Sequence, residues 1–280
     1  MTKCSLNALL PCLAIAAIGA LAGSPAYAQY RPQPALGAAS AAQKGENYHV
    51  EIGVNLWNPD PNIGVSSDGL GVAGTLIDAQ GTLGVQKKQV YDIRVVLKPA
   101  ARHKFRFSYL PMSYTSTATL NATVTFNGRS YPINAQVASD LQWNTYRLGY
   151  EYDFVSNKAG FFGIVLEAKV TQAQIQLNSI VGNEFSKAQA PIPAIGAIAR
   201  VYLAPGISIT GEYTYFKLPT SVVKDITGHY TEYDVYSTIN VTNNLGAQAG
   251  IRKIDVGVSV TNVTGSAAFS GPYFGGVVRF

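Results

Sequence analysis

From Tyr48 to Phe280 the sequence alternates apolar and polar residues with a period of two, almost without interruption. Such alternation is typical of β-strands that separate two different environments. The segments that carry it are HVEIGVNLW, YDIRVVLK, KFRFSYL, TYRLGYEYDF, FGIVLEAKV, IGAIARVYL, ISITGEYTY, YDVYSTINV, LGAQAGIRK and GPYFGGVVRF. The pattern predicts an all-β chain of about ten antiparallel strands, with about eight as the alternative count.

The connections between these segments alternate in length. Short ones lie at 99–102, 156–159, 204–206 and 242–244, and longer ones lie at 59–89, 116–142, 178–191, 218–230 and 261–271. An up-and-down β-barrel has this alternation when short turns occupy one rim and long loops the other. Within 116–142 the dipeptide Asn127-Gly128 predicts a tight hairpin turn. We therefore expect one barrel over residues 47–280, with both of its ends at the rim of short turns.

The residues before the barrel have a different character. Lys3, the apolar stretch 8–22 and the small residues Ala26 and Ala28 follow the order of a secretory signal peptide, predicted over residues 1–28. Residues 29–46 are rich in Pro, Ala and Gln and predict a flexible periplasmic leader.

The two cysteines constrain the chemistry of the mature protein. Cys4 and Cys12 both lie in the predicted signal peptide. The mature chain is therefore expected to have no disulfide, reactive thiol or cysteine metal site.

The distribution of charge predicts which face of the strands points outward. Only 13% of the residues are charged, about half the usual share. The chain therefore has few charged side chains with which to cover the surface of a water-soluble protein. The apolar face carries Tyr and Phe near the strand ends, as do the aromatic girdles of membrane barrels. These features favour a transmembrane barrel with its apolar face toward lipid. A soluble lipocalin-like barrel, with its apolar face inward, is the alternative.

The charges on the opposite face form a candidate site in the lumen. They are Asp92, Arg94, Arg106, Arg147, Glu151, Glu167, Lys169, Arg200, Glu212, Arg252 and Arg279. Such charges can pair with one another and fill a narrow barrel, or they can line a path for a small solute. A barrel of about ten strands is close to the size that side chains fill, so we expect at most a narrow pore.

Motifs for catalysis are sparse. The sequence has no phosphate-binding loop and no metal-ligand spacing, so we predict no catalytic, cofactor-binding or metal residues and no cofactor. His49 and His103 open strands at the periplasmic rim. His229 is expected in an outer loop near Ser221 and Asp225, which leaves a lipid-modifying or proteolytic outer-membrane enzyme as an alternative function.

The segment GPYFGGVVRF places Phe274, Val278 and Phe280 on one face. It resembles the terminal strand of Gram-negative outer-membrane β-barrel proteins, in which the final Phe is read by the barrel-assembly machinery. The hairpin over 249–280 is also similar to a group of mostly uncharacterised outer-membrane barrels that end on GPY and RF motifs, although Ile251 stands where that group has Tyr.

This resemblance implies a location in the outer membrane. Expected partners are outer-membrane lipid and lipopolysaccharide, the assembly machinery during biogenesis, and a small solute if the lumen conducts. The formal net charge of +5 is dispersed, so we expect no nucleic-acid partner. The predicted function is non-enzymatic: a structural or surface-interaction role, or a narrow porin-like conduit.

Overall fold

The structure is a computed structural model that describes residues 43–68, 73–218, 227–260 and 263–280. The predicted signal peptide and residues 29–42 of the predicted leader lie outside these ranges. Among the described residues, none belongs to a helix long and apolar enough to cross a membrane.

Fourteen β-strands make up the secondary structure of the described ranges. They are β1 (Val50–Trp57), β2 (Asp60–Ser67), β3 (Ile77–Asp78), β4 (Val90–Ala100), β5 (His103–Thr119), β6 (Val124–Phe126), β7 (Arg129–Tyr131), β8 (Gln136–Asn157), β9 (Gly160–Ser179), β10 (Gly182–Ala204), β11 (Ile207–Leu218), β12 (Thr227–Asn240), β13 (Leu245–Val260) and β14 (Val263–Arg279).

Ten of the described strands close into one antiparallel barrel, in the order β1-β4-β5-β8-β9-β10-β11-β12-β13-β14. β14 closes it by pairing with β1, in a register that runs from Glu51 opposite Arg279 to Trp57 opposite Tyr273. Beyond the end of β1, on the side of the long loops, the short strand β2 pairs with the first half of β14. On its other edge β2 pairs with β3. Closure satisfies the backbone groups that an open sheet edge would expose to lipid. The predicted all-β barrel of about ten strands is confirmed.

Several strands are longer than the sequence pattern predicted. β9 and β10 pair up to Ser179 and Gly182, so most of the loop predicted over 178–191 is a strand. β14 already begins at Val263, inside the loop predicted over 261–271, and β2 lies inside the loop predicted over 59–89. These extensions were missed because their outward residues are mostly polar, unlike those of the segments used to find the strands.

The hairpin predicted at Asn127-Gly128 is present and joins β6 to β7. Both residues have positive φ, 51° and 81°, as a two-residue turn of this kind requires. The Arg129 Nε donates a 2.9 Å hydrogen bond to Glu184 of β10, and its Nη1 donates one of 2.7 Å to the Val181 carbonyl. The hydrogen bond from Arg129 holds the pKa of Glu184 below its usual range. This hairpin is thereby fixed against the top of β10.

The outward face changes character part of the way along each long strand. On β9 the outward residues are Phe162, Ile164 and Leu166 near the short turns, and Gln172 and Gln174 further up. The apolar part spans about nine residues, the length that a tilted strand needs to cross the hydrocarbon core. We call this apolar zone the belt.

The belt gives a direct test of membrane insertion. Leu166 lies within the belt and is 48% exposed, whereas Gln174 faces outward on the same strand above it. Leu166→Arg is expected to lower the free energy of unfolding by about 2–4 kcal/mol, because the charge would enter hydrocarbon. Gln174→Arg should change it by less than about 0.5 kcal/mol. Urea unfolding in lipid vesicles measures both, and equal effects would place the membrane elsewhere.

Candidate functional site

The lower half of the barrel interior, next to the short turns, is filled by charged side chains of both signs. Among the described residues, nine carboxylates face nine cations in this region. The carboxylates are Glu46, Glu51, Asp92, Glu151, Asp153, Glu167, Glu212, Glu232 and Asp234, and the cations are Arg94, Lys98, Lys104, Arg106, Arg147, Lys169, Arg200, Arg252 and Arg279. We call this set the lumen network; its formal charges cancel.

Lys169 lies at the centre of the lumen network and is fully buried. Its Nζ is 3.0 Å from Glu167 and 2.9 Å from Glu232, and it donates a 2.9 Å hydrogen bond to the Thr214 hydroxyl. Arg147 contacts the same Glu232 at 2.8 Å and Glu167 at 3.8 Å. Two carboxylates from β9 and β12 therefore share two cations from β8 and β9.

A second group of the lumen network connects β4, β12, β13 and β14. Arg252 contacts Asp234 at 3.0 Å and Asp92 at 3.2 Å, and Arg94 contacts the same two carboxylates at 2.9 Å and 2.6 Å. The Tyr273 hydroxyl donates a 2.8 Å hydrogen bond to Asp234. These contacts cross the seam where the last strand meets the first ones.

A third group connects β5, β8 and β11. Arg106 contacts Glu212 at 2.5 Å and Glu151 at 3.4 Å. Lys104 contacts Glu151 at 2.5 Å and Asp153 at 2.8 Å. Together the three groups join strands that are not neighbours in the sheet, across the lumen.

The barrel mouth beside the short turns is occupied as well. Arg279 is fully buried and donates hydrogen bonds to Glu51 and to the Asn240 side chain, each at 2.5 Å. The Arg200 guanidinium contacts Glu46 at 2.7 Å, and Lys98 donates a 2.9 Å hydrogen bond to the Glu46 carbonyl. Residues 43–46, which the sequence placed in the flexible leader, thus lie against the mouth because Glu46 has cationic partners there.

All the lumen residues named from the sequence lie in this network. Seven further members were not named from the sequence: Glu46, Glu51, Lys98, Lys104, Asp153, Glu232 and Asp234. Of these, Glu232 and Asp234, on β12, take part in the two most connected groups. Their strand has polar outward residues such as Thr231 and Ser237, which weakened its alternation. Both carboxylates nevertheless keep the same parity as Tyr236, also buried, and that parity could have identified them.

The upper half of the interior is apolar. Trp57, Met112, Phe126, Leu177 and Phe269 are all at most 2% exposed and belong to one hydrophobic cluster. The Phe269 ring contacts that of Trp143, with 5.4 Å between centroids. Above the belt the barrel therefore has apolar residues inside and mostly polar residues outside, with the exposed Phe185 of β10 as an exception.

His229 does not lie in an outer loop, as the sequence predicted, but in β12. Its side chain is half-exposed and its Nε2 is 3.0 Å from Asp255 of β13. The neighbouring Tyr230 is buried, so by strand alternation the histidine points away from the interior. Ser221 and Asp225 lie outside the described residues. His49 precedes β1 and His103 opens β5 at the short-turn rim, as predicted.

The three residues assigned to an assembly signal face outward. Phe274, Val278 and Phe280 are 58%, 38% and 67% exposed. The Phe280 backbone exchanges hydrogen bonds with Val50, whose backbone nitrogen donates to the Phe280 carbonyl oxygen at 3.1 Å. In the described ranges, no three His, Cys, Asp or Glu residues form a group suited to a metal ion.

The fold is that of Gram-negative outer-membrane β-barrel proteins, as the resemblance of the last strand predicted. The barrel is similar to the outer-membrane protease OmpT from Escherichia coli, with a TM-score of 0.56 and 9% identity over 82% of this chain and 96% of that one. An identity this low shows a shared fold and nothing about activity.

Two other solved barrels are similar to the chain but superpose loosely. They are Ail of Yersinia pestis, with a TM-score of 0.36 and 11% identity over 83% of this chain and 99% of that one, and a Pseudomonas aeruginosa FadL homologue, with a TM-score of 0.38 and 9% identity over 89% and 95%. No protein-family model matches the chain. No curated protein sequence matches it either.

Proposed function

We propose that this protein is an integral outer-membrane barrel with a closed lumen, which has a structural or surface-interaction role rather than that of a conduit. The observation that carries the proposal is the lumen network. Its cations and carboxylates contact one another across the interior, and the apolar cluster lies directly above them.

Opening a path for solutes would require buried ion pairs to separate. Removing one partner of such a pair typically costs about 3–5 kcal/mol, because the other charge remains buried without compensation. Here the pairs share partners, since Glu232 contacts Lys169, Arg147 and Arg252. A small displacement therefore breaks several contacts at once, which favours a permanently filled lumen.

The part of the barrel above the belt provides the surface for the proposed surface-interaction role. β8, β9 and β10 have 22, 20 and 23 residues, whereas crossing the hydrocarbon needs about 9–11. About half of each strand therefore extends beyond the membrane and presents polar side chains to its surroundings.

Lipid and lipopolysaccharide are the proposed neighbours of the outer surface. Lys187, Lys217 and Lys253 are exposed and lie on the outward face beyond the apolar residues of their strands. Such positions suit the phosphates of lipopolysaccharide, which lie at the level of the headgroups. We further propose that the barrel-assembly machinery reads Phe274, Val278 and Phe280 during biogenesis.

Planar-bilayer recordings test the closed lumen. The wild-type barrel is expected to give no steady conductance at neutral pH. A matched variant, in which Glu167, Lys169, Arg147 and Glu232 are all replaced by Ser, removes two charges of each sign and most of the central side-chain volume. If it folds, water should enter and the variant should conduct. A large and stable wild-type conductance would instead support the porin-like alternative.

A further inference from the structure

The apolar interior above the lumen network contains a partly open cavity of about 120 Å³. One wall comes from β8, β9 and β10, and the other from β2, β13 and β14. The inward residues that the two walls contribute include Leu141, Trp143, Ile175, Ile63 and Val256. The cavity is distinct from the ion pairs that fill the lower half.

Small residues in register explain why this space is not filled by side chains. Ala173 lies opposite Trp143 on one side and opposite Ala188 on the other. On the second wall, Ala267 lies between Ile63 and Val256. Protein interiors normally close gaps larger than a methyl group, because each costs stability. Here alanines from both walls are directed into the same volume.

We propose that this cavity binds a small uncharged hydrophobic molecule, about one aromatic ring in size. A cavity of about 150 Å³ with an apolar lining stays dry and accommodates benzene or xenon, so the volume here suits a ligand of that class. A sugar or an ion would lose its hydrogen bonds to water and find few replacements, because the inward lining consists mainly of Ile, Val, Leu and Ala, with Tyr114 and Ser186 as its polar members. The indole of Trp143 provides a flat apolar surface against which a ring can stack.

The lining provides its own spectroscopic probe. Trp143 contributes to the cavity wall, and the sequence has two tryptophans, so Trp57→Phe leaves Trp143 as the only emitting indole. Bromobenzene quenches indole emission through its heavy atom when the two are in contact. Added to the refolded full chain in nanodiscs of fixed lipid content, it should quench Trp143 in a saturable manner, and benzene should reverse the quenching by competition.

A pair of adjacent alanines supplies the matched control. Ala267 is buried and lines the cavity, whereas Ala268 is the next residue along β14 and faces the outside. In the Trp57→Phe background, Ala267→Leu should fill the cavity and weaken bromobenzene binding by at least about tenfold, a loss of about 1.4 kcal/mol. Ala268→Leu should bind as the parent does.

Ala173→Leu provides a second filling variant on the opposite wall, in case Ala267→Leu does not fold. Quenching that rises linearly without saturation and is the same in all variants would show partition into lipid alone and would overturn the proposal. Saturable quenching that benzene does not reverse would also overturn it, because one apolar site must accept both ligands. The test does not depend on whether the lumen conducts.

Discussion

Replacing Lys169 by methionine is expected to lower the free energy of unfolding by about 3–5 kcal/mol, because it leaves buried carboxylates with too few cations. The side chain of Lys169 is fully buried and contacts Glu167 at 3.0 Å and Glu232 at 2.9 Å. Methionine has a similar length, so the packing is largely kept while the charge is lost. Urea titration of the refolded protein, followed by intrinsic fluorescence, measures the change.

Two further variants separate charge from packing. Lys187 is exposed on β10, so Lys187→Met should change stability by less than about 0.5 kcal/mol. Combining Lys169→Met with Glu167→Gln should recover part of the loss, because a cation and a carboxylate are then removed together. If Lys169→Met is as stable as the wild type, the ion pairs of the lumen do not hold the barrel closed.

The sequence was sufficient to predict the barrel, because alternation reports directly which residues share a face. It assigned Arg147 and Glu167 to the lumen, and the structure places both of them inside the barrel. Alternation carries no information about partners across the lumen. Arg147 contacts Glu232, which is 85 residues away in the chain, and only the closed barrel brings the two strands together.

The extension above the membrane was missed for a physical reason. In the belt the outward residues are apolar and the inward ones charged, whereas above it the preference is reversed. On β8, the outward Leu148 is 51% exposed within the belt, while further up Leu141 points inward and is 5% exposed. A search for strands with apolar residues outward and charged residues inward therefore stops finding them where the surroundings change from lipid to water. The cavity lies in the reversed part, so the alternation contains no sign of it.

Because of this reversal, the outer side of a single strand contacts lipid in the belt and water above it. Two phenylalanines of β14 test how this affects the stability that a buried or exposed ring contributes. Phe269 points into the apolar cluster above the belt and is fully buried, whereas Phe274 faces outward in the belt and is 58% exposed. Phe269→Ala is expected to cost about 3–5 kcal/mol, because water surrounds that part of the barrel and the contact with Trp143 is lost. Phe274→Ala should cost less, because lipid or detergent tails fill the space that the ring leaves.

The two Phe→Ala variants are distinguished most clearly when the detergent around the belt is varied. Unfolding in micelles of shorter and longer acyl chains should change the cost of Phe274→Ala and leave that of Phe269→Ala unaltered, since only the first ring contacts the tails. Both variants keep the backbone pairing of β14, so differences in unfolding report the side chains. If Phe274→Ala proves the more costly variant in every micelle, the hydrophobic interior above the belt contributes less than the belt itself. The upper barrel would then depend on the membrane part for its stability.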